Sequence, residues 1–397
     1  MRSPGGRRLA LLVGLSTLRA AAVWAGEAPS NEAVASELNN QGIRAARQGR
    51  WDDAVGYLRR AVKVNPDDAL VRKNLSGILI DWAVQLEQTG GGAKAESLLM
   101  EAATYDPDNS VALARLGDVA YFQRSNFSDA IAYWKRASGG LPAPERRALV
   151  DRIAQAQRDA AIEQGFTSQH TEHFDIRLSH SGAADLAALG QRLEAAYTAL
   201  AGALGGGPSS ITVIVYTERG MRRTYYQRDW ALGFYDGRLR LLEREVAGDL
   251  APMMIAHELA HAFLHHAYGP ALPTWVHEGF AQLQEAGRPW SAEERRLEEA
   301  VASGSGWVPL KWLDSHFSKP SNREDVWRAY VEARLVVGAL IRRRGIAHFK
   351  QFLGDLAKGR PVDKAYDAAF SPDRWAETDR PFVRGEGSGA KGEGGKS

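Results

Sequence analysis

Up to Gly165 the apolar and small residues of this chain recur at helical spacing; beyond it they begin to alternate. A period near 3.6 and a period of 2 cannot share one regular element, so the chain must fold as two differently built parts. In the second part residues 173–178 alternate as a strand does, residues 183–204 return to helical spacing, and Gly205-Gly206-Gly207-Pro208 stops that helix. Residues 211–216 are a continuous apolar run of strand length, expected to be buried. Residues 233–242 read as a hairpin turning at Asp236-Gly237, and residues 291–358 as further helices. The expected fold class is α+β, with a small sheet placed ahead of a group of helices.

The first part, residues 30–163, is repetitive. Leu38, Gly42, Ala45, Gly49, Trp51, Ala54, Leu58, Ala61 and Pro66 approximate a tetratricopeptide unit, whose small residues let paired helices approach and whose proline ends the second helix. Leu113, Gly117, Ala120, Tyr121, Asn126, Phe127, Ala130, Trp134, Ala137 and Pro142 form a similar unit. The unit between them is degenerate: Pro66 and Pro107 lie 41 residues apart, and Gly90-Gly91-Gly92 suggests an enlarged turn. Residues 145–163 read as a closing helix. The expectation is an α-helical tetratricopeptide-repeat solenoid; a generic helical bundle is the alternative.

The chemistry concentrates in His257-Glu258-Leu259-Ala260-His261 and in Pro273-Thr274-Trp275-Val276-His277-Glu278-Gly279-Phe280-Ala281. On a helix the two histidines of H-E-x-x-H stand at i and i+4, so both imidazoles can share one tetrahedral zinc ion. Glu258 between them can take a proton from metal-bound water. A third ligand has to come from elsewhere. Glu278, seventeen residues after His261, opens a second helix and is the candidate; its neighbour His277 competes, because consecutive helical residues point about 100° apart and only one can face the metal. The pattern H-E-x-x-H-x-x-G-x-x-H fails, since Leu264 and Ala267 stand where glycine and histidine are required. His265 and His266 therefore read as solvated or capping residues near a helix end.

At these residues the chain resembles the gluzincin clan of zinc metallopeptidases, and is most similar to peptidase-MA-like proteins that carry tetratricopeptide repeats ahead of the catalytic domain. The resemblance covers roughly residues 170–375 and implies His257, His261 and Glu278 as metal ligands and Glu258 as general base. Thermolysin-like members place an aspartate four residues after the ligand glutamate, where this chain has Gln282. Aminopeptidase-like members carry an acid seven residues on, and Glu285 fits that offset. The clan often uses a tyrosine beyond the second metal helix as oxyanion donor, which implies Tyr330; a core tyrosine is the alternative, and His316 and Tyr235 are weaker candidates. Gluzincins pair extended substrate with a sheet edge, which implies residues 238–243 here; ordinary sheet packing is the alternative.

Composition narrows the partners. The chain has no cysteine, which excludes disulfides and thiolate ligands and leaves histidine and carboxylate to build any zinc site. Arg7 and Arg8 precede an apolar run at residues 9–18 and small residues follow, so residues 1–25 read as a cleavable signal peptide and the protein as secreted or periplasmic. Arg2, Arg7, Arg8 and Arg19 carry the positive charge of that segment; without them the formal net charge of +2 becomes −2. Such a chain has no electrostatic footprint for nucleic acid, and no segment of the mature part is expected to span a membrane stably. The expected domains are a repeat domain at 30–163, a zinc metallopeptidase domain at 165–375 and a disordered glycine-rich tail at 376–397. The expected activity is peptide-bond hydrolysis with Zn²⁺ as cofactor, acting on a protein or peptide substrate, with the repeats recruiting substrate or a protein partner. Two alternatives stay open: a non-catalytic repeat scaffold with a structural metal domain, and a zinc hydrolase of a non-peptide bond. Glu258 argues against the first, because a purely structural site needs ligands but no base.

Overall fold

A computed structural model describes residues 29–88, 91–179, 185–224, 233–285, 310–318 and 323–370, with a few more between 291 and 300. The expected signal peptide and glycine-rich tail lie outside the described residues. The fold is α+β, and the chain divides at Gly165 into two compact units.

The first unit is wholly helical: α1 (Asn31–Arg47), α2 (Trp51–Val64), α3 (Ala69–Gln88), α4 (Gly92–Tyr105), α5 (Ser110–Asp118), α6 (Phe127–Ser138) and α7 (Ala143–Ile162). At three of its helix starts a short polar side chain satisfies the first free N–H groups: Ser30 caps α1, Asn109 caps α5 and Asn126 caps α6. They pair as hairpins through small residues. Ala45, Ala54, Leu58 and Ala61 are fully buried between α1 and α2, and Ala130, Trp134 and Ala137 are their counterparts in the α5–α6 pair. Gly117 faces the Trp134 ring so closely that a Cβ there would lie 2.4 Å from Cδ1. Polar bridges join one hairpin to the next: Asn74 donates to Asn39 at 2.9 Å, and Arg59 holds Glu101 through two bonds of 2.8 and 2.6 Å. After α5 the helix widens into a π-turn at Val119–Gln123, which places Tyr121 to bond the buried Asp159 of α7.

The second unit is built on a five-stranded sheet. Its strands are β1 (Thr167–His170), β2 (Phe174–Leu178), β3 (Ile211–Tyr216), β4 (Gly233–Tyr235) and β5 (Leu239–Leu242), in the order β1-β2-β3-β5-β4. β2, β3 and β5 are parallel, and the outer strands run antiparallel to their neighbours. A parallel pair needs a crossover, and α8 (Leu186–Leu204) supplies the one between β2 and β3. Alternate residues Phe174, Ile176, Leu178, Val213, Val215, Leu239 and Leu241 face a single core, shared with Leu193 and Leu200 of α8 and with Ile255, Leu259 and Phe263 of a later helix. Every residue of Ile211–Tyr216 is buried, as the unbroken apolar run required.

Residues 239–242 form an interior strand and not the sheet edge expected of residues 238–243. The turn at Asp236-Gly237, where glycine takes a φ of 102°, folds β4 back along β5, so β5 is interior and β4 is the outer strand. Arg240 on β5 is fully buried; Asp236 accepts from its Nε at 3.0 and 3.1 Å, and the Tyr216 hydroxyl accepts from Nη1 at 2.7 Å. No helix among the described residues is long and apolar enough to cross a membrane.

The glycines of the first unit separate two effects. Gly117→Ala should cost about 1–3 kcal/mol by overpacking against Trp134, whereas Gly56→Ala, on α2 with open space beside it, should stabilise by about 0.5–1 kcal/mol. Urea unfolding of both variants checks this; equal effects would mean the Gly117 contact is not tight.

Candidate metal centre

Four helices surround the motif residues: α11 (Ala251–Tyr268), α12 (Thr274–Leu283), α13 (Leu310–Ser318) and α14 (Arg323–Ala357). They follow the short helices α9 (Glu218–Thr224) and α10 (Glu243–Ala247). α14 breaks at Gly345, and α15 (Val362–Phe370) closes the described chain.

The local sequence explains the arrangement. Ile255, Leu259, Ala262 and Phe263 turn one side of α11 into the core, which leaves His257 and His261 on another side. Gly269, at φ 73°, ends α11, and its N–H returns to the His265 carbonyl. Pro273 then precedes α12, whose opening N–H of Trp275 donates to Asp314 Oδ1 on α13 at 3.1 Å. That bond takes the place of a local cap. Gly279 lets α12 lie directly on α14, since a Cβ there would sit 2.3 Å from the Ala333 carbonyl oxygen.

The result brings His257, His261 and Glu278 together as one group able to hold a metal ion. His257 Nε2 and His261 Nε2 are 3.3 Å apart, and Glu278 Oε2 lies 3.7 Å from the first and 3.8 Å from the second. Donors held about 2.0–2.1 Å from a tetrahedral centre are themselves about 3.3 Å apart, so the spacing suits a small ion with one position left open. The donor chemistry agrees. His257 Nδ1 is 2.6 Å from Glu285 Oε1, which commits that nitrogen as a donor and leaves Nε2 with a lone pair aimed at the group. Two imidazoles and a carboxylate then present electron-rich atoms to one point, an arrangement completed by a positive charge.

Burial governs the protonation of these groups in the metal-free protein. It works against a charged His257, but the hydrogen bond to Glu285 and the fields of Glu258, Glu278 and Glu285 outweigh it and raise the imidazole above its usual range. Burial, with His257 and His277 beside it, holds His261 well below that range. Burial pushes Glu258 up to about 7, opposed by His257 and reinforced by Glu278 and Glu285. Glu278 is raised for the same first reason, again against the pull of His257. Each carboxylate resists its own charge, and a cation between them reverses that resistance.

The remaining candidates fall around this group. His277 is not among its three donors; its ring lies 5.8 Å from that of His261, and burial followed by the field of His265 lowers it to about 4. His265 is exposed and packs its ring edge-on against Tyr235 of the outer strand, at 5.6 Å. Tyr330 lies on α14 beside α12. Burial, then the fields of Glu278, Glu258 and Glu285, raise its phenol far above the usual range. His316 is half-buried on α13. Gln282, at the position four after Glu278, donates to the Tyr330 carbonyl at 2.9 Å rather than to a ligand histidine. The acid seven residues on, Glu285, is the one that meets His257. The sequence offered no signal for Asp314 or for the partner of Gln282, because both contacts cross more than 35 residues.

No family model matches the chain, and no curated protein matches it either.

Removing a carboxylate that orients a ligand histidine typically weakens metal binding about 10- to 100-fold. Glu285→Gln should show a loss of that size by calorimetric titration with a divalent metal, and Glu278→Ala, which deletes a ligand, a larger one. An unchanged affinity in Glu285→Gln would detach Glu285 from the site.

Proposed function

We propose that this protein is an exported zinc-dependent peptidase of gluzincin type, whose helical hairpins are tetratricopeptide-like repeats that recruit a protein substrate or partner. The observation that carries the proposal is the convergence of His257, His261 and Glu278 from two helices, with Glu258 in the same buried place and Glu285 behind His257. Two imidazoles and one carboxylate with a fourth position open match catalytic zinc better than a hard cation, which takes six to eight oxygen donors.

His257, His261 and Glu278 would hold the ion, and Glu285 would keep His257 in the tautomer that binds it. Zinc bound there supplies Lewis acidity, lowering the pKa of a water to about 7 and polarising a carbonyl. Glu258 then accepts the proton of the attacking water and delivers it to the leaving amine nitrogen. Its burial already disfavours the carboxylate charge, which suits a group that must take up a proton and give it back. The Tyr330 hydroxyl donates to the oxyanion that develops on the scissile carbonyl.

Fluorogenic peptide-library turnover with and without a chelator tests the activity, and parallel ester substrates separate a peptidase from a hydrolase of another bond. Glu258→Gln should retain zinc and lose about 10²- to 10⁴-fold in turnover; near wild-type turnover rejects the mechanism. Tyr330→Phe should lower kcat by about 10²-fold with zinc content intact. A Tyr330→Phe enzyme as fast as the parent would return that tyrosine to the core.

A further inference from the structure

Gln282 is a buried primary amide in a helix packed against another helix, a place where a leucine would serve packing as well. A buried amide is costly unless bonded, so the direction of its bond carries information. Its Nε2 reaches the backbone carbonyl of Tyr330 at 2.9 Å. A helical carbonyl already engaged in its own helix has a second lone pair to give, so α14 loses nothing by accepting it.

Two contacts pin α12 to α14, one turn apart. Gly279 meets Ala333 and Val337, and Gln282 meets Tyr330. Moving three residues forward on α12 moves three residues back on α14, which is the register of an antiparallel helix pair. Tyr330, Ala333 and Val337 stand at i, i+3 and i+7, so they share the face of α14 turned to α12. On α12, Glu278 and Gln282 stand at i and i+4, and Glu285, just past the helix end, continues the row. One row thus carries a metal donor, the Tyr330 contact and the partner of His257. The Tyr330 ring packs edge-on against Phe317 at 5.1 Å and lies tilted to Trp327 at 6.4 Å.

We propose that Gln282 is a positioning residue: it locks the first turns of α14 to the metal-bearing helix and so fixes where the Tyr330 hydroxyl points relative to the metal centre. The proposal rests on the reading of Tyr330 as oxyanion donor, and it adds the device that aims it. Gln282 touches neither the metal donors nor the reacting atoms; it acts through Tyr330.

The test uses the full chain with 3-fluorotyrosine incorporated at position 330, and the Gln282→Leu and Gln282→Met variants, checked for intact folding by thermal melting. Adding zinc should shift the fluorine resonance in the parent, and the shift should fall at least about twofold, or the line split, in both variants. Kinetically, Gln282→Leu should lower kcat by about 10- to 100-fold, the loss expected when a reacting group is displaced by about 1 Å, with KM and zinc affinity within about threefold of the parent. In the Tyr330→Phe background the same substitution should cost nothing further, because the group it aims is gone. A full loss that persists in that background, an equal loss of zinc affinity, or an unchanged fluorine shift overturns the proposal and makes Gln282 a packing residue. The fluorine measurement needs no substrate, so it decides the role of Gln282 even if Glu258→Gln shows that the peptidase reading is wrong.

Discussion

Two imidazole nitrogens and a carboxylate oxygen converge within 4 Å in a largely buried place, and the helices around them are arranged to hold that convergence. Without a cation such a cluster is held against the preference of its own charges: burial raises Glu258 and Glu278 and depresses His261. An uncompensated buried charge costs several kcal/mol, of the order found when a buried ion pair loses one partner, about 3–5 kcal/mol. The surrounding structure must therefore be rigid enough to keep the donors in place. Glu285 contributes directly, by holding His257 through the ring nitrogen that faces away from the cluster.

That rigidity comes from the sheet and from close helix contacts. One face of the sheet, α8 and the apolar side of α11 share a single core, which fixes α11 and with it both histidines. α12 is then set by three anchors of different kinds: Asp314 takes the N–H of Trp275 near its start, Gly279 lies against the backbone of α14 in its middle, and Gln282 bonds the Tyr330 carbonyl near its end. With α12 placed in this way, Glu278 has little freedom to leave the histidines. The Glu278-Gly279 pair joins the two requirements, since the carboxylate faces His257 and His261 and the missing side chain beside it permits the approach to α14.

The helical unit before Gly165 follows a different logic. Its pairs close through alanines and glycines, and charged or amide bridges such as Arg59–Glu101 and Asn74–Asn39 tie successive hairpins. Contacts of this kind run mainly between helices that follow one another in the chain, and the proposed chemistry draws on none of their residues.

Much of this was legible in the sequence because it depends on local periodicity. Helical spacing put His257 and His261 on one side of a helix, the unbroken run 211–216 marked a buried strand and Asp236-Gly237 marked a turn, whereas Glu285 was pointed to by the family resemblance and not by periodicity. Small residues at helical spacing likewise marked where Gly42 and Gly117 meet a partner helix. The order of the strands was not legible, and the reading of residues 238–243 as an edge failed, because alternation shows which side chains turn inward but not which strand lies beside which. Nor could one sequence choose between His277 and Glu278 by geometry, since that depends on how α12 is rotated against α11, and the rotation is set by Asp314, Gly279 and Gln282 acting on distant segments. Residue types and their spacing along one helix are properties of the sequence alone; the meeting of donors from two helices is decided by tertiary packing, because only packing fixes the relative rotation and approach of those helices.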